Sequence, residues 1–412
     1  MKRFLISLSL LACVLCCMGL SPEQAGGIYY AYDVDNDTLQ PAPSGFEPVY
    51  VSHYGRHGSR WPVNPKIYKI TADFFQDQQQ AQNLTAEGKA VWKLTTLCAG
   101  NAAGHLGELT PLGERQHRAI ARRMAERFPE LFKAGARVEA RSSTEPRCIM
   151  SMAAFCEALK ERHSGIDLRR HASPGDMDFI HHKTETATLM NSDDAPWRWE
   201  FDQYRDSVSL CPALAGRLFK EVPDTTALPL FLRSLYDIAI SVQDIDGLEA
   251  DLLGIFAPED LEKIWKASNY IQYVGNARSP LSGHSGPECV RPLLEEIISR
   301  ADEMLQSGEV SVDLRFGHDT DLLRLVSLLN LDGYGVETED IDEAATLWPN
   351  YRIAPMGANL QLIFYRNSAG DVLVAPRLNE KPARLPDITE AAPGFYAWED
   401  FKASAGGVGM KK

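Results

Sequence analysis

Apolar and polar positions alternate over Pro48-Val49-Tyr50-Val51-Ser52-His53-Tyr54 and again at Val310, Val312, Leu314 and Phe316, the two-residue period of a strand. Val138-Glu139-Ala140 reads as the end of another short strand. Residues 359–365 and 371–377, joined at Asn367-Ser368-Ala369-Gly370, read as a hairpin. Between these stretches the apolar spacing widens to three and four. Ile120, Met124 and Phe128 follow Thr110-Pro111, an N-cap with proline at the first helical position. Met150, Ala153, Ala154 and Leu159 mark a second helix. Val290, Leu293, Leu294, Ile297, Ala301 and Leu305 mark one that stops near Gly308, and Leu322, Leu323, Val326 and Leu329 mark another directly after the Phe316 strand. The middle of the chain carries only helical stripes, a strong one at Leu228, Phe231, Leu232, Leu235, Ile238 and Val242 and a weaker one at Leu261, Ile264, Trp265 and Ile271. Such stripes face a core. Segment 171–225 has little periodicity and is rich in Asp, Pro and Trp, as loops over a pocket would be. The tail after Ala403 reads as frayed. The pattern predicts an α/β protein whose core, 26–175 and 286–412, is interrupted by a mostly helical cap insertion, 176–285.

Two strand ends carry the candidate chemistry. The first strand runs into Gly55-Arg56-His57-Gly58-Ser59-Arg60-Trp61-Pro62, which sets an imidazole between two guanidinium groups. Guanidinium forks match phosphate oxygens in pairs, and a neutral imidazole nitrogen can attack phosphorus to give a covalent intermediate. Arginine and histidine beside glycine also occur in ordinary surface turns, so the octapeptide alone does not decide. The second strand ends at His318 and Asp319, where a helix begins. Ligands of open α/β sheets bind beyond the carboxyl ends of strands, and helix N-termini offer N–H groups to anions. Asp319 or Thr320 would equally suit a helix N-cap.

Arg56-His57-Gly58-Ser59-Arg60-Trp61-Pro62 resembles the RHGxRxP signature of the histidine acid phosphatase family, the branch of the histidine phosphatase superfamily with phytases, sugar-phosphate phosphatases and inositol polyphosphate phosphatases. Gly317-His318-Asp319-Thr320, about 260 residues later, resembles that family's C-terminal His-Asp motif. Two further segments, Gly107-Glu108-Leu109-Thr110-Pro111-Leu112-Gly113 and Arg141-Ser142-Ser143-Thr144-Glu145-Pro146-Arg147, fit the same template. The resemblance implies a phosphoglycerate-mutase-like three-layer α/β core with a helical cap. It implies His57 as nucleophile and Arg56, Arg60, Arg141 and His318 around the phosphoryl oxygens, a positional and electrostatic form of catalysis. Asp319 would protonate the leaving alcohol and then help a water attack the phosphohistidine. An acidic optimum follows if Asp319 must be protonated. Lys66 and Lys183 are candidate contacts for additional phosphates. Arg141 is preferred to Arg147 because it directly follows a strand end, whereas Arg147 already sits in a helix. No metal or cofactor is needed, and His53 with His181 and His182 lacks the helical spacing of a metal site. The phosphoglycerate mutase type also begins Arg-His-Gly but carries Asn where this chain has Val63. Many inositol polyphosphate phosphatases read His-Ala-Glu where this chain has His318-Asp319-Thr320.

Composition sets the surroundings. Among 412 residues, 44% are hydrophobic, enough for a sizeable core. Met1-Lys2-Arg3 precedes an apolar run from Phe4 to Met18, too short to span a bilayer, which reads as a signal peptide over 1–19 with cleavage between 12 and 25. The expected address is periplasm or cell surface. Leu10-Leu11-Ala12-Cys13 resembles a lipobox, the alternative in which Cys13 carries a lipid anchor. The formal charge of −14 recommends neither nucleic acid nor an anionic membrane as partner, so any anionic substrate needs basic groups gathered locally. Outside the leader stand Cys98, Cys148, Cys156, Cys211 and Cys289, an odd number that leaves at least one thiol free or paired externally. The expected function is an exported phosphomonoesterase working on inositol phosphates such as phytate. The alternatives are a narrower sugar-phosphate phosphatase or a non-catalytic phosphoester-binding protein.

Overall fold

A computed structural model describes residues 19–32 and 40–407. The signal-peptide reading and Cys13 lie outside these residues. One mixed sheet organises the molecule. Its strands are β1 (Phe46–Arg56), β2 (Arg137–Ser142), β3 (Asp167–Ala172), β4 (Val312–Gly317), β5 (Asn359–Asn367), β6 (Val372–Leu378), β7 (Lys381–Pro382), β8 (Glu390–Ala392) and β9 (Phe395–Ala397). Their order is β3-β2-β4-β1-β5-β6-β9-β8, with β7 beside β6. β1 to β4 are mutually parallel, and β5 onward is antiparallel. The β5–β6 hairpin turns where the sequence predicts it. Asn367 Oδ1 accepts from the N–H groups of Ala369 and Asp371, and Gly370 adopts φ +95°, a conformation that favours glycine.

Helices run α1 (Lys66–Gln80), α2 (Ala86–Ala102), α3 (Pro111–Arg127), α4 (Pro146–Arg162), α5 (Met177–Ile180), α6 (Glu185–Met190), α7 (Arg198–Val208) and α8 (Pro212–Leu218). They continue as α9 (Leu228–Ser241), α10 (Pro258–Asn276), α11 (Ser285–Glu288), α12 (Arg291–Ser307), α13 (Asp319–Leu328), α14 (Ile341–Leu347), α15 (Asn350–Ile353) and α16 (Trp398–Gly407). Strand alternation assigns the two faces of the sheet. Val51, Val312, Leu314 and Phe316 pack with α3 and α4, while Tyr50 and Tyr54 pack with α12 and α13. The result is the three-layer α/β core. Local signals fix the helix ends: Thr110 Oγ1 accepts from Gly113 N with Pro111 in the first turn, and α12 stops at Gly308, φ +66°.

The helical side differs from the expected boundaries. Ile67, Phe74 and Phe75 of α1 and Val91 and Cys98 of α2 share one apolar cluster with α8, α9 and α10. Phe74 stacks on Phe231 at 4.3 Å between ring centroids. The cap is therefore built from two chain segments, not from 176–285 alone. The tail also differs, because Trp398, Phe401 and Ala405 are buried on one face of α16, which runs on to Gly407 instead of fraying after Ala403. All five described cysteines are buried free thiols. Among the described residues, no helix is long and apolar enough to cross a membrane.

Candidate active site

The parallel pairing of β1 with β4 brings the two sequence motifs together, since Arg56 lies opposite Gly317 and His57 N donates to Gly317 O at 3.0 Å. The loop after β1 is then stapled to the segment before α3. Ser59 O accepts from Thr110 N at 2.9 Å and Thr110 Oγ1 at 3.1 Å, and Trp61 N donates to Glu108 O at 3.1 Å. Backbones approach so closely here that a Cβ on Gly58 would sit 2.6 Å from Gly113 Cα. Ser59 N donates to Gln116 Oε1, and Ser59 Oγ donates at 2.6 Å to Asp244, which reaches the loop from the end of α9.

Inside this frame the side chains converge. Arg56 is fully buried; its Nη1 donates to Ala354 O at 2.7 Å and to Ile28 O, while Nε and Nη2 have no hydrogen-bond partner. Nη2 lies 3.9 Å from Asp319 Oδ2. Arg60 lies 4.9 Å over the Tyr29 ring and donates to Tyr29 Oη, and its Nε is likewise without a partner. His57 Nδ1 is 2.9 Å from Gly58 O. A carbonyl only accepts, so Nδ1 carries the proton and Nε2 keeps its lone pair. Burial, followed by Arg56, Arg60 and His318, holds this imidazole far below the usual histidine range, so it is neutral.

His318 stands 5.9 Å from His57 between ring centroids, with Nε2 3.2 Å from Ser143 Oγ and its backbone N–H donating to Tyr54 Oη at 3.1 Å. Burial is the main cause that lowers its pKa to about 4. A Cβ at position 317 would lie 2.0 Å from that Tyr54 hydroxyl, which explains the glycine before the His-Asp pair. Asp319 occupies the first turn of α13, with His318 rather than Asp319 or Thr320 at the N-cap position. Burial pushes its carboxyl up, but Arg56, Arg60 and His318 together hold it below the usual carboxylate range. The resting pair is thus neutral His57 with ionised Asp319.

Two expected contacts need correction. Arg141 does not join this group: its Nη1 is 3.3 Å from Asp313 Oδ1 and its Nη2 is 3.0 Å from Glu139 Oε2, in an ion-paired layer that includes Arg300 and Arg315. Alternation along β2 sends residue 141 to the face covered by α12. Arg147, in the first turn of α4, lines the cleft with His318 and Asp319, and its Nε has no partner. Lys66 is exposed at the start of α1 and does not line the cleft, whereas Lys183 does. His53 is buried against Phe155 and Phe316, away from any cleft wall.

The cleft in front of Asp319 measures about 620 Å³. Met177, His181, Lys183 and Thr188 form one wall, so the poorly periodic segment does cover the pocket; Arg324, Gln272 and Asn276 lie in another. His181 and Asp321 escaped the sequence reading, which weighed His181 only as a metal ligand. Their link is a 2.7 Å contact between His181 Nδ1 and Asp321 Oδ2, and nothing in local sequence announces it.

A family model described as the histidine phosphatase superfamily (branch 2) matches residues 55–375. The chain is 23% identical over 368 residues to the multiple inositol polyphosphate phosphatase 1 of Gallus gallus, covering 82% of this chain and 78% of that protein. It is 26% identical over 408 residues to the Homo sapiens protein of the same name, covering 86% and 78%. Among solved structures, a Bifidobacterium longum multiple inositol polyphosphate phosphatase complexed with inositol hexasulfate aligns with TM-score 0.75 at 16% identity, covering 93% of this chain and 97% of that one. The phytase from D. castellii aligns with TM-score 0.72 at 13% identity, covering 95% and 86%. The matched stretch opens on the Arg56-His57 loop and takes in both catalytic-end motifs and the cap between them: the chain belongs to branch 2 of the histidine phosphatase superfamily.

Proposed function

We propose that this chain is an exported phosphomonoesterase that hydrolyses inositol phosphates through a phosphohistidine on His57. The observation that carries the reading is a neutral imidazole, its Nε2 unprotonated, beside buried arginine N–H groups that have no hydrogen-bond partner. An incoming phosphoryl group would satisfy Arg56, Arg60 and Arg147, with His318 as a neutral hydrogen-bonding partner. Nε2 attacks phosphorus, the P–O bond to the alcohol breaks, and Asp319 supplies the proton; water then cleaves the P–N bond and returns a proton to Asp319. Because Arg56 and Arg60 depress the Asp319 carboxyl, its proton arrives with the substrate: a phosphate dianion between the two arginines and Asp319 pushes that carboxyl up. The substrate class is supported by a cleft of about 620 Å³ carrying Arg147, Lys183 and Arg324, room and charge for a polyol with several phosphates. The names of the relatives support the same class. Steady-state hydrolysis of phytate beside glucose 1-phosphate tests it, and a strong preference for glucose 1-phosphate would reverse the assignment.

Two substitutions probe the roles. Asp319→Asn should slow alkyl phosphates by ~10²–10⁴-fold and p-nitrophenyl phosphate far less, because phenolate departs with little help. Equal slowing of both would remove Asp319 as the leaving-group acid. Arg147→Ala should lower kcat/KM by roughly 10²-fold at unchanged melting temperature. Arg141→Ala should instead cost stability, on the order of 2 kcal/mol, by weakening the pairing of buried Asp313. The reverse pattern would return Arg141 to the phosphate site.

A further inference from the structure

The resting charge state leaves a chemical gap. Asp319 lies 3.9 Å from Arg56 Nη2 and gains its proton only with the substrate, so toward neutral pH a second source of a proton for the leaving oxygen would help. The cleft contains one. His181, at the C-terminal end of α5, lines the same cleft as Asp319, and its ring centroid is 4.5 Å from that of His318. Its Nδ1 donates at 2.7 Å to Asp321 Oδ2, on a side chain only 1% exposed. That carboxylate also lies 3.3 Å from Tyr54 Oη, the hydroxyl that receives the His318 backbone N–H. A buried carboxylate behind Nδ1 fixes the tautomer and orientation of the ring, leaving Nε2 as the working nitrogen.

We propose that His181, oriented by Asp321, is a second proton donor to the leaving oxygen beside Asp319. This rests on the phosphohistidine reading. In the step, His57 Nε2 forms a bond to phosphorus, the P–O bond breaks with its electron pair staying on oxygen, and the proton on His181 Nε2 moves to that oxygen. His181 is left neutral and is reprotonated from solvent, while Asp319 remains the base for the attacking water. The charged and titratable groups around His181 in this cleft are Asp321 and His318 at the β4–α13 junction, Asp319 beside them, Arg324 on α13, Lys183 on its own segment, Cys289, and Glu145 and Arg147.

The test compares leaving groups at two pH values in His181→Gln and Asp321→Asn. Asp321→Asn keeps an acceptor for Nδ1 but removes the charge, and it guards against a His181 variant that folds poorly. In His181→Gln, kcat for glycerol 2-phosphate should fall at least about tenfold near pH 7 and less than about threefold near pH 4.5, with p-nitrophenyl phosphate changed less than about threefold at both. Asp321→Asn should reproduce part of the loss with the same substrate and pH dependence. A parallel fall on both substrates at both pH values, or no fall at all, would overturn the proposal, the first by making His181 a support for His318. Wild-type protein that hydrolyses neither substrate would instead fault the phosphatase reading.

Discussion

His57→Ala should take hydrolysis of any phosphate monoester down by on the order of 10⁴-fold or more, while inorganic phosphate still binds within about tenfold of its wild-type affinity. The two expectations have different causes. In the proposed mechanism turnover depends on Nε2 as the atom that bonds to phosphorus. Phosphate affinity depends on guanidinium groups positioned independently of the imidazole: Arg56 by Ala354 O and Ile28 O, Arg60 by Tyr29, and Arg147 by Glu145. His57 itself is tied to its surroundings through its backbone, by Gly317 O and Gly357 N, and those bonds survive truncation. Rapid quench with labelled substrate should therefore find an acid-labile phosphoenzyme in the wild type and none in the variant, with calorimetry still reporting phosphate binding. Residual turnover within tenfold of wild type would remove His57 as nucleophile.

Most of this site was legible because it is written at the ends of strands. The Pro48–Tyr54 alternation and the Phe316 strand deliver His57 and His318 to neighbouring positions through parallel pairing, and Thr110-Pro111 announces its own helix. Legibility ended where tertiary geometry decides. Arg141 and Arg147 differ by six positions, and it is Arg147, not the residue nearer the strand end, that lines the cleft; Glu139 of β2 and buried Asp313 of β4, on the face covered by α12, hold Arg141. α1 and α2 carry no feature that separates a core helix from a cap helix, yet Phe74 and Phe75 of α1 meet Phe231 of α9, and Trp92 of α2 stacks on Phe75. His181 and Asp321 lie 140 residues apart, and Asp244 is joined to Ser59 across 185, so no local pattern could have paired them. The departure of His318-Asp319-Thr320 from His-Ala-Glu coexists with relatives named as inositol polyphosphate phosphatases, since either order leaves a carboxyl near the same helix start.

Acid should unfold this protein steeply, on the order of 3 kcal/mol of stability per pH unit between about pH 6 and pH 4. The cause lies beneath the catalytic loop. His53 and His117 are each 1% exposed, both ring nitrogens of each have no hydrogen-bond partner, and burial lowers both pKa values to about 3. In the unfolded chain the same imidazoles titrate near about 6.5. Below that value the unfolded state binds protons that the folded state refuses, so this stability is complete above it and is lost as pH falls, at about 1.4 kcal/mol per unit for each histidine. His57 and His318, also lowered by burial, add to the loss. Asp237 and Asp244, each pushed up to about 7 by burial, work the other way and together offset about two histidines' share, which cancels His57 and His318 and leaves the two core histidines to set the slope. Denaturant unfolding at a series of pH values should show the free energy collapsing toward about pH 4, and His117→Leu should cut the slope by roughly half the core contribution. Constant stability from about pH 7 to about pH 4 would mean that the pair is hydrated or hydrogen-bonded in solution. The same physics bears on activity. On the proposed roles, a leaving-group acid that works best at low pH is built over histidines that resist protonation, so unfolding should cut activity off in acid, and a second donor such as His181 would matter most toward neutral pH.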